Sequence, residues 1–423
     1  MNSDTSPPKS QVAGMVFIFI TVLLDIMGIG LIIPLMPQLV SQFVGSDLAA
    51  TSLYYGALGT AYTLAQFLFA PMLGALSDQF GRRPLLLISL AVTSAAYLLT
   101  AIAPSMIVLF VARALGGIGG ASMTVAAAYI ADVSSHEDRA KNFGMLGAAF
   151  GLGFIAGPAV GGYLGTIHMH LPFYAAAGLA FANFLYGLAA VPESHKIENR
   201  KAFTWGQANP VGWVSVVKRH PVVTSMAASL LLFNLAHQCL HNTWVLYTAH
   251  RFGWSPADNG TSLAVVGVTT ALVQGGLIRV LLPRWGERNA ILIGMALSGM
   301  SLVAYGLATQ GWMMYAIIVV ASIGGVAGPA VQGYISKQVD AGEQGAVQGA
   351  LTGLMSLTGV VAPMLASSVF ATFTAAKAPI QLPGAPFFLG ACFCAGGIAI
   401  AFKVLSRPVT PPVEAEVPVT TAA

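Results

Sequence analysis

Charge is what this sequence has least of. Only 8% of its 423 residues are Asp, Glu, Lys or Arg, 56% are hydrophobic, and the mean hydropathy is +0.76. So few charges cannot cover the surface of a water-soluble fold of this length, so lipid is the expected solvent for most of the chain. Cysteine is also scarce: Cys239, Cys392 and Cys394 all lie in apolar segments, which excludes a disulfide framework or a metal-ligand spacing and leaves them as small buried hydrophobes. No GxxxxGK[ST] loop occurs, so ATP is not the energy source, and no nucleophile-base pair supports an enzyme. The net charge of +4 does not suggest nucleic acid. A cleavable leader is not expected, because the first apolar run, from Met15, exceeds a signal-peptide core and lacks a convincing cleavage site.

What the sequence has instead is apolar runs. A bilayer crossing takes about 20 apolar residues, and twelve candidates fall at 15–37, 52–76, 84–103, 106–131, 142–165, 170–191, 221–247, 259–283, 289–308, 311–335, 348–372 and 384–405. An all-α membrane protein follows. Orientation rests on the basic residues: with the N-terminus inside, fifteen of the nineteen Lys and Arg fall in cytoplasmic segments, so both termini are expected to be cytoplasmic. The longest hydrophilic connection, 192–220, separates an N-terminal set of six spans (1–191) from a C-terminal set (221–407). Trp205 and Trp213 beside Lys218 and Arg219 suggest that part of this linker lies on the membrane surface. The tail, 408–423, reads as disordered.

The two sets look like copies. "FGRRPLLLISLAVTSAAYLLTAIAP" from Phe80 and "WGERNAILIGMALSGMSLVAYGLAT" from Trp285 share a glycine, a basic residue and a small/apolar alternation in one register. A repeat near 205 residues points to two pseudo-symmetric six-helix bundles, a transporter architecture.

Asp25 sits in the middle of the first span. Thr21, Asp25 and Gly28, spaced four and three apart, share one helical face, so the acid can look inward across small residues rather than at lipid. An intramembrane carboxyl that gains and loses a proton can couple that event to a conformational change; the alternative is a packing Asp bonded to a neighbouring hydroxyl. Arg113, in "LFVARALGGIGGASM", needs acceptors, which Asp25 or backbone carbonyls of span one could supply, and it could equally be a structural clamp. Gly74, Asp78, Gly81, Arg82 and Arg83 in "GALSDQFGRRP" join spans two and three. There Asp78 can meet a helix N-terminus or an Arg, and Arg82 can hold carboxylates, locking one conformation and releasing it in another. Gly153, Gly157 and Gly161 lie four apart, with Pro158 among them, and permit close packing and a kink. In span seven Asn234, His237, Gln238 and His241 form a polar stripe expected to face a central cavity. Tyr62 and Gln66 in span two, and Thr270 and Gln274 in span eight, are weaker analogues. "HQCLH" lacks the acid of a zinc-protease motif and no third ligand is evident, so no metal site is expected.

Taken together, "LDIMGIGLIIPLMP", "LGALSDQFGRRP", Arg113 with its glycines, "GLGFIAGPAVGG" and "WVLYTAHRFGW" after span seven resemble the major facilitator superfamily, and within it the drug/proton antiporters of the tetracycline-efflux type. The likeness extends over nearly all twelve spans. It implies a central cavity opened alternately to each side and drug export driven by proton entry, with Asp25, Gln66, Asp78, Arg82 and Arg113 carried over by motif position. It also implies a small-molecule drug, protons and the lipid bilayer as partners, a monomer in a bacterial inner membrane, and no cofactor beyond magnesium borne by the drug if that drug is a tetracycline. Where the Gram-negative exporters carry an acid in span three, a histidine in span eight and an acid in span nine, this chain has Ala96, Thr270 and Ser298, and Gln79 replaces a basic residue in the loop. Coupling here must therefore run differently, with His237 and His241 as candidate substitutes, or the compound moved must be another.

Two other readings carry different requirements. Symport or export of a metabolite such as a sugar or carboxylate would need a dense set of Asn, Gln and acids, or a basic pair, in the spans. A membrane sensor would need an appended soluble domain, and none is visible.

Overall fold

The computed structural model describes residues 9–134, 138–206, 209–340 and 343–406; the expected disordered tail lies outside them. Where one first span was expected, there are two helices. α1 (Lys9–Ile32) ends just before Pro34, whose ring fixes φ and whose nitrogen has no hydrogen to donate, and α2 (Met36–Val44) starts beyond that turn with Pro37 in its first turn. α3 (Leu48–Phe80) opens on Asp47, whose Oδ1 accepts the amides of Ala49 and Ala50 at 2.9 and 3.2 Å, a stabilising cap. α4 (Arg82–Ala101), α5 (Met106–Gly120), α6 (Ser122–Val133), α7 (Arg139–Ile167) and α8 (Leu171–Ala190) complete the first half. In the linker a 3₁₀ turn (Ile197–Asn199) precedes the short α9 (Trp213–Val217). The second half is α10 (Pro221–Phe252), α11 (Pro256–Leu272), a π turn (Val273–Leu277), α12 (Ile278–Leu307), α13 (Gly311–Gly324), α14 (Ala327–Ser336), α15 (Gln344–Thr374) and α16 (Ala385–Leu405). "WVLYTAHRFGW", expected after span seven, instead forms the last turns of α10 and the residues just beyond.

Among the described residues ten helical stretches are long and apolar enough to cross a membrane. One of them, Pro256–Leu307, runs for 52 residues and breaks at Gly286, so it supplies two crossings. The 33-residue α3, less apolar but about 50 Å long at 1.5 Å per residue, is the twelfth. No strand occurs among the described residues.

The repeat expected from sequence is present as geometry. Gly81 (φ 102°, ψ 161°) and Gly286 (φ 71°, ψ 160°), 205 positions apart, adopt closely similar left-handed backbone conformations at matching turns, which residues with a Cβ enter only under strain. At the same offset, α5 and α13 begin, each yields to a second short helix after fourteen or fifteen residues, and Pro158 and Pro363 sit inside α7 and α15. The ion pairs match in position but not in sign: Arg82 pairs with Asp132, and at the corresponding places Glu287 pairs with Lys337.

Packing shows where the halves meet. α7 lies against α1 within the first half and against α11 of the second, while α3 lies against α15. These contacts close one end only. Gly162 and Gly260 are so close that a Cβ on Gly162 would reach the Gly260 Cα at 3.1 Å. Ser52 donates to the Ser367 carbonyl at 3.1 Å, and Thr60 to the Val360 carbonyl at 3.2 Å. At the other ends of α7 and α15, and in the π turn that follows α11, Gly144, Gly147, Gly151, Gly275, Gly276, Gly345 and Gly349 have nothing within 4 Å of an added Cβ. The molecule is sealed at the Asp47 end and open at the Gly81 end.

The glycine spacing in α7 fits α1. A Cβ on Gly153 would lie 2.7 Å from the Leu23 carbonyl oxygen, and one on Gly157 2.6 Å from that of Met27; Gly161 likewise faces the Leu31 backbone. The helix runs unbroken through Pro158, whose ring abuts Gly30. Gly157→Ala is therefore expected to destabilise the protein by about 1–3 kcal/mol through overpacking, while Gly147→Ala, in open space, should be neutral or stabilising by up to about 1 kcal/mol. Thermal unfolding of the detergent-solubilised variants checks this; equal shifts in Tm would refute the fitted spine.

Cysteine follows expectation in part. Cys239 and Cys394 are buried, but Cys392 faces outward, because a spacing of two on a helix turns the side chain by more than half the circumference.

Candidate functional site

Three groups of polar residues lie within or against the bundles. The first surrounds Asp25. Ser122, the first residue of α6, donates to Asp25 Oδ2 at 3.1 Å, whereas Oδ1 is buried without a hydrogen-bond partner. The expected face is inward-looking: Thr21 donates to Asn183 Oδ1 on α8 at 3.2 Å, and a Cβ on Gly28 would lie 3.1 Å from the Tyr97 ring on α4. Arg113 does not pair with Asp25, since no ion pair joins them among the described residues. Its guanidinium carbon instead lies 4.9 Å from the centre of the Tyr62 ring, and its Nε is buried without a partner. Such a contact satisfies a guanidinium face without neutralising a carboxylate. Asp25 and Arg113 thus share one region without cancelling, separated by the break between α5 and α6. Beside that break Gly116, Gly117, Gly119 and Gly120 let α3 and α4 approach: a Cβ on Gly117 would lie 2.9 Å from the Ala65 Cβ, and one on Gly119 3.0 Å from the Ser89 carbonyl.

The second group lines the space between the halves. Thr63, Gln66 and Phe67 on α3 face Gln238 on α10 and Thr352, Met355, Ser356 and Gly359 on α15 around a cavity of ≈ 280 Å³. Gln66 is held in place by donating Nε2 to the Gly120 carbonyl, freed at the helix break, at 3.0 Å. Tyr62 sits one turn away, over Arg113.

The span-seven stripe does not face this cavity as a unit. Only Gln238 lines it. Asn234 donates to Thr358 Oγ1 at 3.0 Å inside the second bundle. His237 stacks near Phe233, with ring centres 4.5 Å apart, and lines a separate small cavity; His241 is exposed, 6.5 Å from His237 ring to ring. A 32-residue helix packed on α15, α16 and α14 offers different neighbours at each turn, so one stripe is divided among them. Thr270 and Gln274 are not among the cavity's lining residues, and Gln274 lies in the exposed π turn.

The third group, at the open end, is the tightest. Arg82, 6% exposed, reaches Asp78 at 2.6 Å, Asp132 at 3.0 Å and the Ser77 hydroxyl at 2.5 Å. Ser77 in turn donates to the Gly74 carbonyl at 2.7 Å. Glu193 caps the start of α4, accepting the Arg82 and Arg83 amides at 2.8 and 3.2 Å, where an anion meets the positive helix end. Arg83 donates to the Leu188 carbonyl at 2.8 Å, and His195 lies 3.5 Å from Asp132. Asp78 was expected to meet a helix end or an Arg; it meets Arg82. Sequence reasoning missed Asp132, Glu193 and His195, although "IADVSS" and "PESHK" place acids at the same end of the bundle as Arg82. Ser122 carried no signal.

Among the described residues no group of three His, Cys, Asp or Glu could hold a metal ion.

A profile of the major facilitator superfamily matches residues 18–363 and 240–421. The tetracycline resistance protein of class C from Escherichia coli is 42% identical over 83% of this chain and 88% of its own length. That of class G from Vibrio anguillarum is 39% identical over 91% and 95%. In fold, the chain is similar to the human organic anion transporter MFSD10 (TM-score 0.70, 23% identity, 94% of this chain and 100% of that one). It is also similar to a bacterial homologue of the lysosomal transporter Spinster in an inward-facing, unoccupied conformation (TM-score 0.74, 16% identity, 94% and 98%). An all-α membrane fold with a repeat of 205 residues, matched over most of its length by the family profile and by tetracycline resistance proteins, makes this chain a member of the major facilitator superfamily, a transporter and not an enzyme.

Proposed function

We propose that this protein exports tetracycline, or a related amphipathic drug, in exchange for protons by alternating access. The observation that carries the reading is the 42% identity to a tetracycline resistance protein over most of both chains, joined to a half-buried carboxyl whose Oδ1 has no partner. The cavity supports it: amides, hydroxyls, Phe67 and Met355 suit a planar, oxygen-rich and partly apolar compound. The distribution of Lys and Arg supports a cytoplasmic Gly81 end with both termini on that side, which makes the open state an inward-facing one in this reading, and the resistance-protein relatives support a bacterial inner membrane. The division at 192–220 then makes the linker a cytoplasmic strap whose Glu193 and His195 belong to the gate.

In this reading drug enters from the cytoplasm and binds near Gln66 and Gln238, and the bundles rock about the α7–α11 and α3–α15 seams. A proton arriving at Asp25 from the outer side changes the charge facing Ser122 and, through Tyr62, the field around Arg113, which shifts the balance between the two states. The protein works as a monomer with no resident cofactor, and any magnesium arrives as part of the drug.

Everted membrane vesicles containing the protein test this. Respiration should drive tetracycline accumulation that collapses on adding a protonophore. Absence of energised accumulation, with uptake or release of a sugar or carboxylate instead, would favour the metabolite reading.

A further inference from the structure

We propose that His237, Ser298 and Ser301 form a second proton-binding position, a hydrated imidazole site within the second bundle. The cavity has a volume of ≈ 20 Å³ and is lined by His237 and Leu240 on α10, Ser298, Ser301, Leu302 and Tyr305 on α12, and Ala321 on α13. That is room for one water molecule, which needs about 10–15 Å³ and two or more polar partners. The partners are present. Ser298 and Ser301 are 3% and 4% exposed, and the Oγ of each lacks a hydrogen-bond partner, an arrangement that is costly when dry. His237 Nδ1 lies 3.2 Å from the Phe233 carbonyl. A carbonyl only accepts, so Nδ1 carries the hydrogen and Nε2 keeps its lone pair. One water can therefore accept from the serine hydroxyls and donate to Nε2, and a proton delivered to that water has an acceptor waiting.

The repeat relates the lining of this place to the first bundle. At the 205-residue offset Ser298, Leu302 and Ala321 correspond to Thr93, Tyr97 and Gly116. In the first bundle, the face of α1 that bears Asp25 and Gly28 meets Tyr97. In the second bundle, the face of α10 that bears His237 and Leu240 meets Leu302 and Ala321. At that offset Asp25 falls on Leu230 and His237 on Ile32, so the two side chains are not repeat equivalents; what the bundles share is a titratable side chain on the first helix, on a face turned to the third crossing, an acid in one and an imidazole in the other.

Few other ionisable groups bear on the site. Its lining adds only Tyr305; on α10 itself His241 is one turn away, and from α16 Cys394 packs against Gly299, next to Ser298. No Asp, Glu, Lys or Arg is among the lining residues. The imidazole therefore takes up a whole charge when it binds a proton, which is the property a coupling site requires.

The test is a histidine ring titration by NMR on the full-length protein in nanodiscs, without drug, with the His237 resonance assigned by its loss in His237→Gln. The expected result is a resonance that titrates between about pH 5 and 8 and whose midpoint moves in Ser298→Val, which fills the cavity and leaves the imidazole in place. Asp25→Asn should leave it titrating. A resonance that is invariant over that range, or one that titrates unchanged in Ser298→Val, would overturn the proposal. Because no substrate is present, the outcome is independent of whether tetracycline is the cargo. In energised vesicles, His237→Gln should lower uphill transport about tenfold; uphill transport at the parent rate would also overturn it.

Discussion

Asp25→Asn should reduce gradient-driven drug accumulation to the leak of empty vesicles while drug binding and membrane insertion persist. The amide preserves the shape of the carboxyl and can still accept from Ser122, so the local packing of α1 on α6 survives. What it cannot do is gain and lose a proton, and uphill movement of drug needs that cycle. The partnerless Oδ1 makes the position costly unless the group is used. Two measurements on the purified variant in liposomes decide the matter: drug uptake under an imposed pH gradient, and drug binding at equilibrium. Uphill uptake at the parent rate would remove Asp25 from coupling; loss of binding as well would make it a structural residue.

The second large effect concerns the closed seam. Gly260 on α11 faces the Pro158 carbonyl, and a Cβ there would lie 3.1 Å from the Gly162 Cα on α7. An indole at this point cannot be accommodated without separating the bundles. Gly260→Trp is expected to hold the Asp47 end apart, trap the molecule away from the state described here, and abolish transport without unfolding either bundle. Two spin labels placed across the α3–α15 seam at that end would report a longer separation than in the parent by electron resonance. The parent distance together with parent transport would show that the seam does not need close backbone contact. Gly276→Trp, in the π turn that follows α11 and in open space, leaves the Asp47 end closed and serves as the control for that distance.

The open-end network shows how far side-chain chemistry could be read ahead. The motif around Asp78 and Arg82 was legible because an acid, an arginine and two glycines in one short turn have few uses other than a lock. Its remaining members were not, because Asp132 and Glu193 are distant in sequence: Asp132 reaches Arg82 through the packing of α6 on α4, and Glu193 through the chain after α8 folding back onto the start of α4. The polar stripe of α10 was legible as a stripe but not as a site. Periodicity fixes only that four residues share a helical face, and the neighbours of that face change along its length. Asn234 therefore meets Thr358, Gln238 the cavity, and His237 a separate pocket. The Asp25–Arg113 pair, one of the two arrangements expected for Arg113, does not form for the same reason: each needed a partner in a buried setting, and a hydroxyl at a helix break and an aromatic face met those needs locally.

The sequence by itself determined the solvent, the number of crossings and the two-fold repeat, since these depend on hydropathy, spacing and glycine positions that any packing must respect. It also set α7 against some backbone through Gly153, Gly157 and Gly161. Only the tertiary structure decided that this backbone is α1, that one end is closed and the other open, and which buried polar groups have partners, because those follow from contacts between helices far apart in the chain.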